Sequence, residues 1–144
     1  MKFNEYPQYA DKLAILMNRI IGFDPKEYDV ITFVPMHPMR QVTRGYNQSE
    51  LLARQLSKEL NIPCEALLIK IKNNLAQHEL SAKERKKNVK GVYQAVNQEK
   101  IKGKNILIID DVITTGHTLG ECCRMLEKAK AGKITCASVT AKIE

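Results

Sequence analysis

The chain has 144 residues, of which 23 are Lys or Arg and 16 are Asp or Glu, and its net charge is +7. With 44% hydrophobic and 27% charged residues, the composition is that of an ordinary globular domain and excludes collagen, coiled coil and intrinsic disorder. We expect a single domain over residues 1–144. Since no apolar run approaches roughly 18 residues and the first residues lack a signal-peptide core, we expect no membrane insertion, no secretion and a cytoplasmic location.

The four cysteines are Cys64, Cys122, Cys123 and Cys136, and no two of them form a C-x-x-C pair. A four-cysteine zinc site is therefore not expected. Because two of the cysteines are adjacent, a disulfide framework is not expected either. The sequence predicts buried free thiols in a reducing compartment.

The first half of the chain predicts two helices and two strands. An apolar stripe at helical spacing predicts the first helix and consists of Leu13, Leu16, Met17 and Ile20. Strands are predicted at 30–34 and 67–71, where β-branched and apolar residues cluster. Asn47 followed by Glu50 has the form of a helix N-cap, and this second helix ends at Asn61.

The second half predicts strands at 92–95, 106–109 and 134–139 and a short helix that begins at 81–84. Residues 106–109 are all apolar, as in a strand buried on both faces. A further helix, for which Gly132 is the predicted C-cap, buries Leu119, Cys122, Cys123 and Leu126. Strands that alternate with helices predict a parallel sheet with helices on both faces.

Two carboxylates and a Thr- and Gly-rich turn follow the clearest strand. Ligands in open α/β sheets bind outside the carboxyl ends of the strands, so the site is expected here. The turn offers backbone N–H groups, hydroxyls and the positive end of a helix dipole, which suit a phosphate. Asp110 and Asp111 suit ribose hydroxyls. We therefore expect this segment to be a binding site for a sugar phosphate rather than an ordinary capped turn. The turn residues are Thr114, Thr115, Gly116, His117 and Thr118.

Residues 106–118 resemble the phosphoribosyl-pyrophosphate (PRPP) motif of type I phosphoribosyltransferases: four apolar residues, two acids, two apolar residues and T-T-G-x-T. Two further blocks, 34–48 and 77–91, make residues 28–141 resemble the ComF family of competence-associated phosphoribosyltransferase-like proteins. The resemblance implies a Rossmann-like α/β type I phosphoribosyltransferase domain, with a central parallel sheet and helices on both faces.

The resemblance also implies roles for individual residues. Asp110 and Asp111 would contact the ribose diol and the shell of a Mg²⁺ ion brought by PRPP, and residues 114–118 would bind the 5′-phosphate. Residues 70–90 would close over the site as a lid. The implied pyrophosphate residues are Pro35, Met36, His37, Arg40 and Arg44. The implied catalytic residues are Asp110, Asp111, Arg40 and Arg85.

Two features depart from the family pattern. Family members usually begin with a four-cysteine zinc-binding module, and this sequence has none. Thr114 stands where purine-specific members that deprotonate their base carry an acid, so we expect no general base at that position.

Residues 70–90 contain seven Lys or Arg and two Glu, a net charge of 7 − 2 = +5. This segment is a solvated surface run, a lid that attracts PRPP, or a strip that binds single-stranded DNA. We expect phosphoribosyl transfer to an unidentified acceptor with release of pyrophosphate. The alternatives are a non-catalytic, PRPP-responsive module of the DNA-uptake machinery that contacts other uptake proteins, and a single-stranded DNA-binding domain. The sequence is compatible with a homo-oligomer and does not determine the oligomeric state.

Overall fold

The computed structural model describes residues 6–36, 45–72, 91–113 and 116–141. Its helices are α1 (Tyr6–Ile21), α2 (Gln48–Leu60) and α3 (His117–Lys128). Its strands are β1 (Val30–Phe33), β2 (Leu68–Lys70), β3 (Tyr93–Ala95), β4 (Ile106–Ile113) and β5 (Ile134–Ala141). Within these ranges, no helix has both the length and the apolar character needed to cross a membrane.

The main sheet is parallel and has the strand order β1-β4-β5. β4 therefore lies in the centre, with Ile106 in register with Val30 on one side and Ile134 on the other. Residues 106–109 of β4 are completely buried. The predicted central strand is confirmed, and it continues for four residues beyond the apolar run, to Ile113.

Helices cover both faces of this sheet, as predicted. Leu107 and Ile109 pack with α1 and α2 on one face, while Ile106 and Ile108 pack with α3 on the other. Successive side chains of a strand point to opposite faces, which explains why one apolar run serves two cores. The α/β architecture expected from the sequence, a parallel sheet with helices on both faces, is present.

A small antiparallel pair, β2 with β3, lies on the α3 side of the main sheet. Lys70 is in register with Tyr93, and the Ile71 N–H donates to the Val92 carbonyl at 2.7 Å. The two strands bracket residues 73–90, which lie outside the described residues together with the short helix predicted from Ser81.

The predicted apolar stripe of α1 is buried only in part. Met17 is buried and Leu13 is half-buried, but Leu16 is 50% exposed and Ile20 is 74% exposed. The alanines of α1 occupy the covered positions instead, because small side chains let α1 approach α2 closely. Among residues 9–21 of α1, whose burial the structure describes, the buried ones are Ala10, Ala14 and Met17.

The predicted C-cap role of Gly132 is wrong. α3 ends at Lys128, and Lys130 adopts the left-handed conformation with φ 71°. Gly132 instead donates its N–H to the Lys104 carbonyl at 2.8 Å, and an added Cβ would lie 2.8 Å from Asn105 Oδ1. The glycine is required there by a close approach between two loops.

All four cysteines are free thiols, but they are not all buried as predicted. Cys122 is fully buried, Cys64 and Cys123 are half-buried, and Cys136 is exposed. The exposure of Cys136 follows from its place on β5, which is the edge strand of the sheet that the described residues form.

Candidate functional site

Asp110 and Asp111 lie in the carboxyl-terminal half of β4, just beyond the end of β1, whose last residue Phe33 is in register with Ile109. On the other side, β5 continues beside them as far as Ala141, opposite Ile113. Asp110 is 9% exposed and stands in register with Ser138 of β5. Asp111 is half-buried. The acids thus lie at the edge of the sheet where ligands bind in folds of this kind, as the sequence predicted.

Ser49, in the first turn of α2, connects both acids. Its hydroxyl donates to Asp110 Oδ1 at 3.0 Å and accepts the Asp111 backbone N–H at 3.2 Å. The same N–H also donates to Asp110 Oδ1 at 2.9 Å. Ser49 is 4% exposed, so these contacts are shielded from water and fix the orientation of the Asp110 carboxyl group.

Burial raises the pKa of Asp110 to about 7, and the neighbouring charge of Asp111 acts in the same direction. The hydrogen bond from Ser49 lowers this pKa, but it does not outweigh burial. Near neutral pH, Asp110 is therefore present in both protonation states. A cation placed beside it would favour the carboxylate.

Asn47 fixes the start of α2 to the sheet. Its side-chain oxygen accepts the Ser49 N–H at 3.1 Å, which confirms the predicted N-cap. Its Nδ2 donates to the Val34 carbonyl at 3.1 Å, and the Val34 N–H donates to the Ile109 carbonyl at 3.0 Å. The chain after β1 and the first turn of α2 are therefore held against β4, next to the acids.

A cavity of about 200 Å³ opens beside this arrangement. Pro35 and Met36, which follow β1, line it together with Asn47 and with Lys70 at the end of β2. The structure thus brings two of the predicted pyrophosphate residues to a concave surface next to the start of α2. The others, which are His37, Arg40 and Arg44, lie outside the described residues.

The predicted phosphate turn leads directly into α3, as expected. Gly116 precedes the helix in the left-handed conformation with φ 81°, and its carbonyl accepts the Gly120 N–H at 2.8 Å. His117 and Thr118 form the first turn and are half-buried. The positive end of the helix dipole therefore lies close to the carboxyl end of β4. Thr114 and Thr115 lie outside the described residues, as does the implied catalytic residue Arg85.

Glu121, in the second turn of α3, is a buried acid that sequence reasoning missed. It is 8% exposed, and its Oε2 accepts the Gly91 N–H at 3.2 Å. Two hydrogen bonds from Arg124, each 2.8 Å long, lower the pKa of Glu121. Gly91 follows directly after the predicted lid, so Glu121 attaches that end of the chain to α3. An acid followed three positions later by Arg was the available signal.

Among the described residues, no three histidine, cysteine or carboxylate side chains converge as a metal site formed by protein alone would require. The adjacent carboxylates of Asp110 and Asp111 do suit Mg²⁺, which takes one or two protein carboxylates alongside substrate phosphates. The donor set therefore fits an ion that arrives with a phosphorylated ligand.

The chain is similar to known proteins in sequence and in fold. Residues 47–144, more than half of the chain, match the model of the phosphoribosyl transferase domain. The solved glutamine phosphoribosylpyrophosphate (PRPP) amidotransferase from B. subtilis superposes with a TM-score of 0.63 at 21% identity, over 92% of this chain and 26% of that one. At this identity, the likeness concerns the fold.

Two curated relatives are more similar in sequence. Competence protein F of Haemophilus influenzae is 41% identical over 102 residues, which are 69% of this chain and 44% of that protein. The DNA utilization protein YhgH of Escherichia coli is 34% identical over 107 residues, which are 74% of this chain and 46% of that protein. The chain thus spans slightly less than half the length of these relatives.

Proposed function

Since this chain belongs to the phosphoribosyl transferase domain family, we propose that it binds PRPP with Mg²⁺. Its relatives named for competence confirm the predicted resemblance to the ComF family. The observation that carries the proposal is the position of Asp110 and Asp111. They lie in the carboxyl-terminal half of the central strand, which ends at Ile113, and α3 begins four residues later at His117 with Gly116 as its N-cap. Acceptors suited to ribose hydroxyls and a helix start suited to a phosphate thus fall within one short segment, which supports the proposal.

In this proposal, different residues bind the ribose, the 5′-phosphate and the pyrophosphate of PRPP. The carboxylates of Asp110 and Asp111 accept hydrogen bonds from the ribose diol, and Ser49 keeps the first of them oriented. The turn 114–118 holds the 5′-phosphate. Pro35 and Met36 border the pyrophosphate group, together with His37, Arg40 and Arg44, whose guanidinium groups suit bidentate phosphate contacts. Asp110 and Asp111 would hold the shell of a Mg²⁺ ion, which would supply charge neutralisation of the pyrophosphate when bound.

We further propose that the bound PRPP reacts at ribose C1. A nucleophilic acceptor forms the new bond to C1 while the bond to pyrophosphate breaks, through a transition state with oxocarbenium character. The chain contributes orientation of the reactants, stabilisation of the leaving pyrophosphate by Arg40 and Arg85, and exclusion of water by residues 70–90. Because Thr114 stands where an acid would be needed, we expect no general base at that position, and the proton that the acceptor loses passes to the departing pyrophosphate or to water.

The role in the cell is inferred from the relatives, whose names refer to competence and DNA utilization. We propose a cytoplasmic part in handling DNA that has been taken up, together with other proteins of that process. Screening nucleobases and amines for PRPP-dependent release of pyrophosphate identifies the acceptor. If none of these acceptors causes release, the result would favour the second candidate, a PRPP-responsive module without transferase activity.

The test of the site is a double substitution, Asp110→Asn with Asp111→Asn. We expect PRPP affinity in the presence of Mg²⁺ to fall at least about tenfold, because charge-assisted hydrogen bonds to the ribose and the Mg²⁺ shell are lost. Isothermal titration with and without Mg²⁺ measures the effect.

The matched control, Asp11→Asn with Glu59→Gln, removes two charges at exposed positions of α1 and α2. It leaves PRPP affinity unchanged on this proposal. Equal affinity of the Asp110/Asp111 variant and the wild type would show that PRPP binds elsewhere or does not bind.

A further inference from the structure

Two thiols meet on the face of the sheet that α3 covers. Cys123 lies in the middle of α3, and Cys136 lies on β5 in register with Ile108 of the central strand. Their sulfur atoms are 3.2 Å apart, although the residues are thirteen positions apart in sequence. This distance is shorter than a van der Waals contact between two sulfurs, and a disulfide bond would shorten it to about 2.0 Å.

The other two cysteines differ from this pair in their surroundings. Cys122 is fully buried in the core beneath α3. Cys64 packs at the margin of the opposite core, with α1 and α2. Cys136 is exposed, and Cys123 is half-buried beside it. An oxidant dissolved in water can therefore reach the pair at Cys136, whereas Cys122 is shielded.

We propose that Cys123 and Cys136 form a redox-active dithiol, which hydrogen peroxide converts reversibly into an intramolecular disulfide between α3 and β5.

The asymmetry of the pair assigns a role to each thiol. The hydrogen bond between the two sulfurs lowers the pKa of Cys136 and raises that of Cys123. The more acidic thiol is thus also the more exposed one. Thiolate character and access together determine which cysteine is oxidised first.

The reaction balances with one molecule of peroxide. The Cys136 thiolate attacks one peroxide oxygen, so that an S–O bond forms, the O–O bond breaks and the departing hydroxide takes up a proton to become water. Cys123 then attacks the Cys136 sulfur, so that the S–S bond forms and the S–O bond breaks, and the second water leaves with the Cys123 proton. Two thiols are oxidised by two electrons, and one peroxide is reduced to two waters.

Peptide mapping tests the proposal on the intact chain. After treatment with stoichiometric hydrogen peroxide and alkylation of remaining thiols, trypsin leaves Cys122 and Cys123 in peptide 105–124, Cys136 in 134–142 and Cys64 in 59–70. We expect 105–124 joined to 134–142, with a mass two hydrogens below the sum. Fragment ions that separate Cys122 from Cys123 assign the bridge to Cys123.

Variants and a thermal measurement complete the test. Cys136→Ser and Cys123→Ser abolish the joined peptide, while Cys64→Ser retains it. The oxidised wild type unfolds at a higher temperature than the reduced protein, because the bridge restricts the unfolded chain, and dithiothreitol reverses this shift. A bridge through Cys122 or Cys64, a bridge between two chains, or oxidation beyond sulfenic acid without any bridge would overturn the proposal.

Discussion

Asp110 combines two properties that conflict in an isolated carboxyl group. It is nearly buried, which favours the neutral form, yet the proposed role beside ribose hydroxyls and Mg²⁺ requires the charged form. Ser49 partly offsets the cost of charge with a hydrogen bond, and Asp111 adds to it by repulsion. The protonation state of Asp110 is therefore expected to depend on the ligand: binding of Mg²⁺ beside it would favour the charged carboxylate.

The raised pKa of Asp110 predicts a pH dependence of stability. The folded protein holds this proton up to about pH 7, whereas an unfolded aspartate releases it near its ordinary value of 3.8. Between these values the folded state binds more protons, so its free energy of unfolding falls as pH rises, by at most about 1.4 kcal/mol per pH unit. Urea unfolding at pH 4.5, 5.5, 6.5 and 7.5, values chosen to span about this window, measures the slope.

Asp110→Asn serves as the comparison, because the amide fills the same space and does not titrate. We expect the difference in stability between variant and wild type to grow in favour of the variant as pH rises through the window and to level off above about pH 7. A difference that is constant over this range would contradict the assigned pKa.

The sequence suffices to identify both acids, because two carboxylates after a buried apolar run have few structural roles. It does not reveal Ser49. The contact joins residues 61 positions apart, and nothing local distinguishes Ser49 from an ordinary residue in the first turn of a helix. Which hydroxyl reaches a carboxylate depends on how α2 docks against β4, and that is decided by packing.

At the scale of elements, the start of α3 depends on one backbone conformation. Gly116 has φ 81°, where a Cβ is strained even though the space around it is open. We predict that Gly116→Ala lowers the free energy of unfolding by about 1–2 kcal/mol and weakens PRPP binding, because the helix start moves. Urea unfolding and isothermal titration measure the two effects.

Gly120 provides the matched control in the same helix. It has ordinary helical backbone and also has open space for a Cβ. Gly120→Ala is therefore expected to raise the free energy of unfolding by about 0.5–1 kcal/mol. Equal effects of the two substitutions would show that the conformation of Gly116 carries no strain penalty.

The link between α3 and the chain that enters β3 gives another prediction. Glu121→Ala removes the acceptor of the Gly91 N–H, so hydrogen exchange at that amide should quicken roughly tenfold. Arg124→Ala breaks only the ion pair and leaves the acceptor in place, so exchange at Gly91 should change little. Exchange followed by NMR separates the two variants. Equal acceleration in both would assign the effect to the ion pair instead.

Periodicity predicts the elements well but assigns their faces less reliably. The stripe of α1 correctly predicts a helix, yet Ile20 is exposed and Ala14 is buried, because the close approach of α2 selects small side chains. The position of Gly132 after α3 suggests a cap, whereas the glycine is needed for a close approach to Asn105. Both differences arise from tertiary neighbours that a local pattern does not contain.

At the scale of the whole molecule, most of the net charge is concentrated in residues 70–90, +5 of +7. We predict that Arg85→Ala with Lys86→Ala and Lys87→Ala weakens PRPP binding or turnover and leaves the fold intact, as expected of a lid that closes over the ligand. Isothermal titration and circular dichroism measure the two properties.

The same variant tests the DNA-binding alternative. A strip that binds single-stranded DNA would lose affinity, and its salt slope would fall by roughly 0.7 for each phosphate that the variant no longer neutralises, while PRPP binding persisted. The control variant Lys12→Ala, Lys26→Ala and Lys58→Ala removes equal charge from exposed positions elsewhere. Abolished DNA binding with unchanged PRPP binding in the first variant alone would reverse the assignment of this segment.

The pairing of β2 with β3 has a consequence for how sequences of this kind can vary. Lys70 and Tyr93 are held in register, so the two ends of the connection between β2 and β3 are fixed next to each other. Each doubling of the number of residues between such fixed ends costs only about 0.6 kcal/mol in closure entropy. We therefore expect insertions and deletions between β2 and β3 to be tolerated without displacing β4. The number of residues between these two strands can then differ among related sequences while the position of Asp110 stays constant.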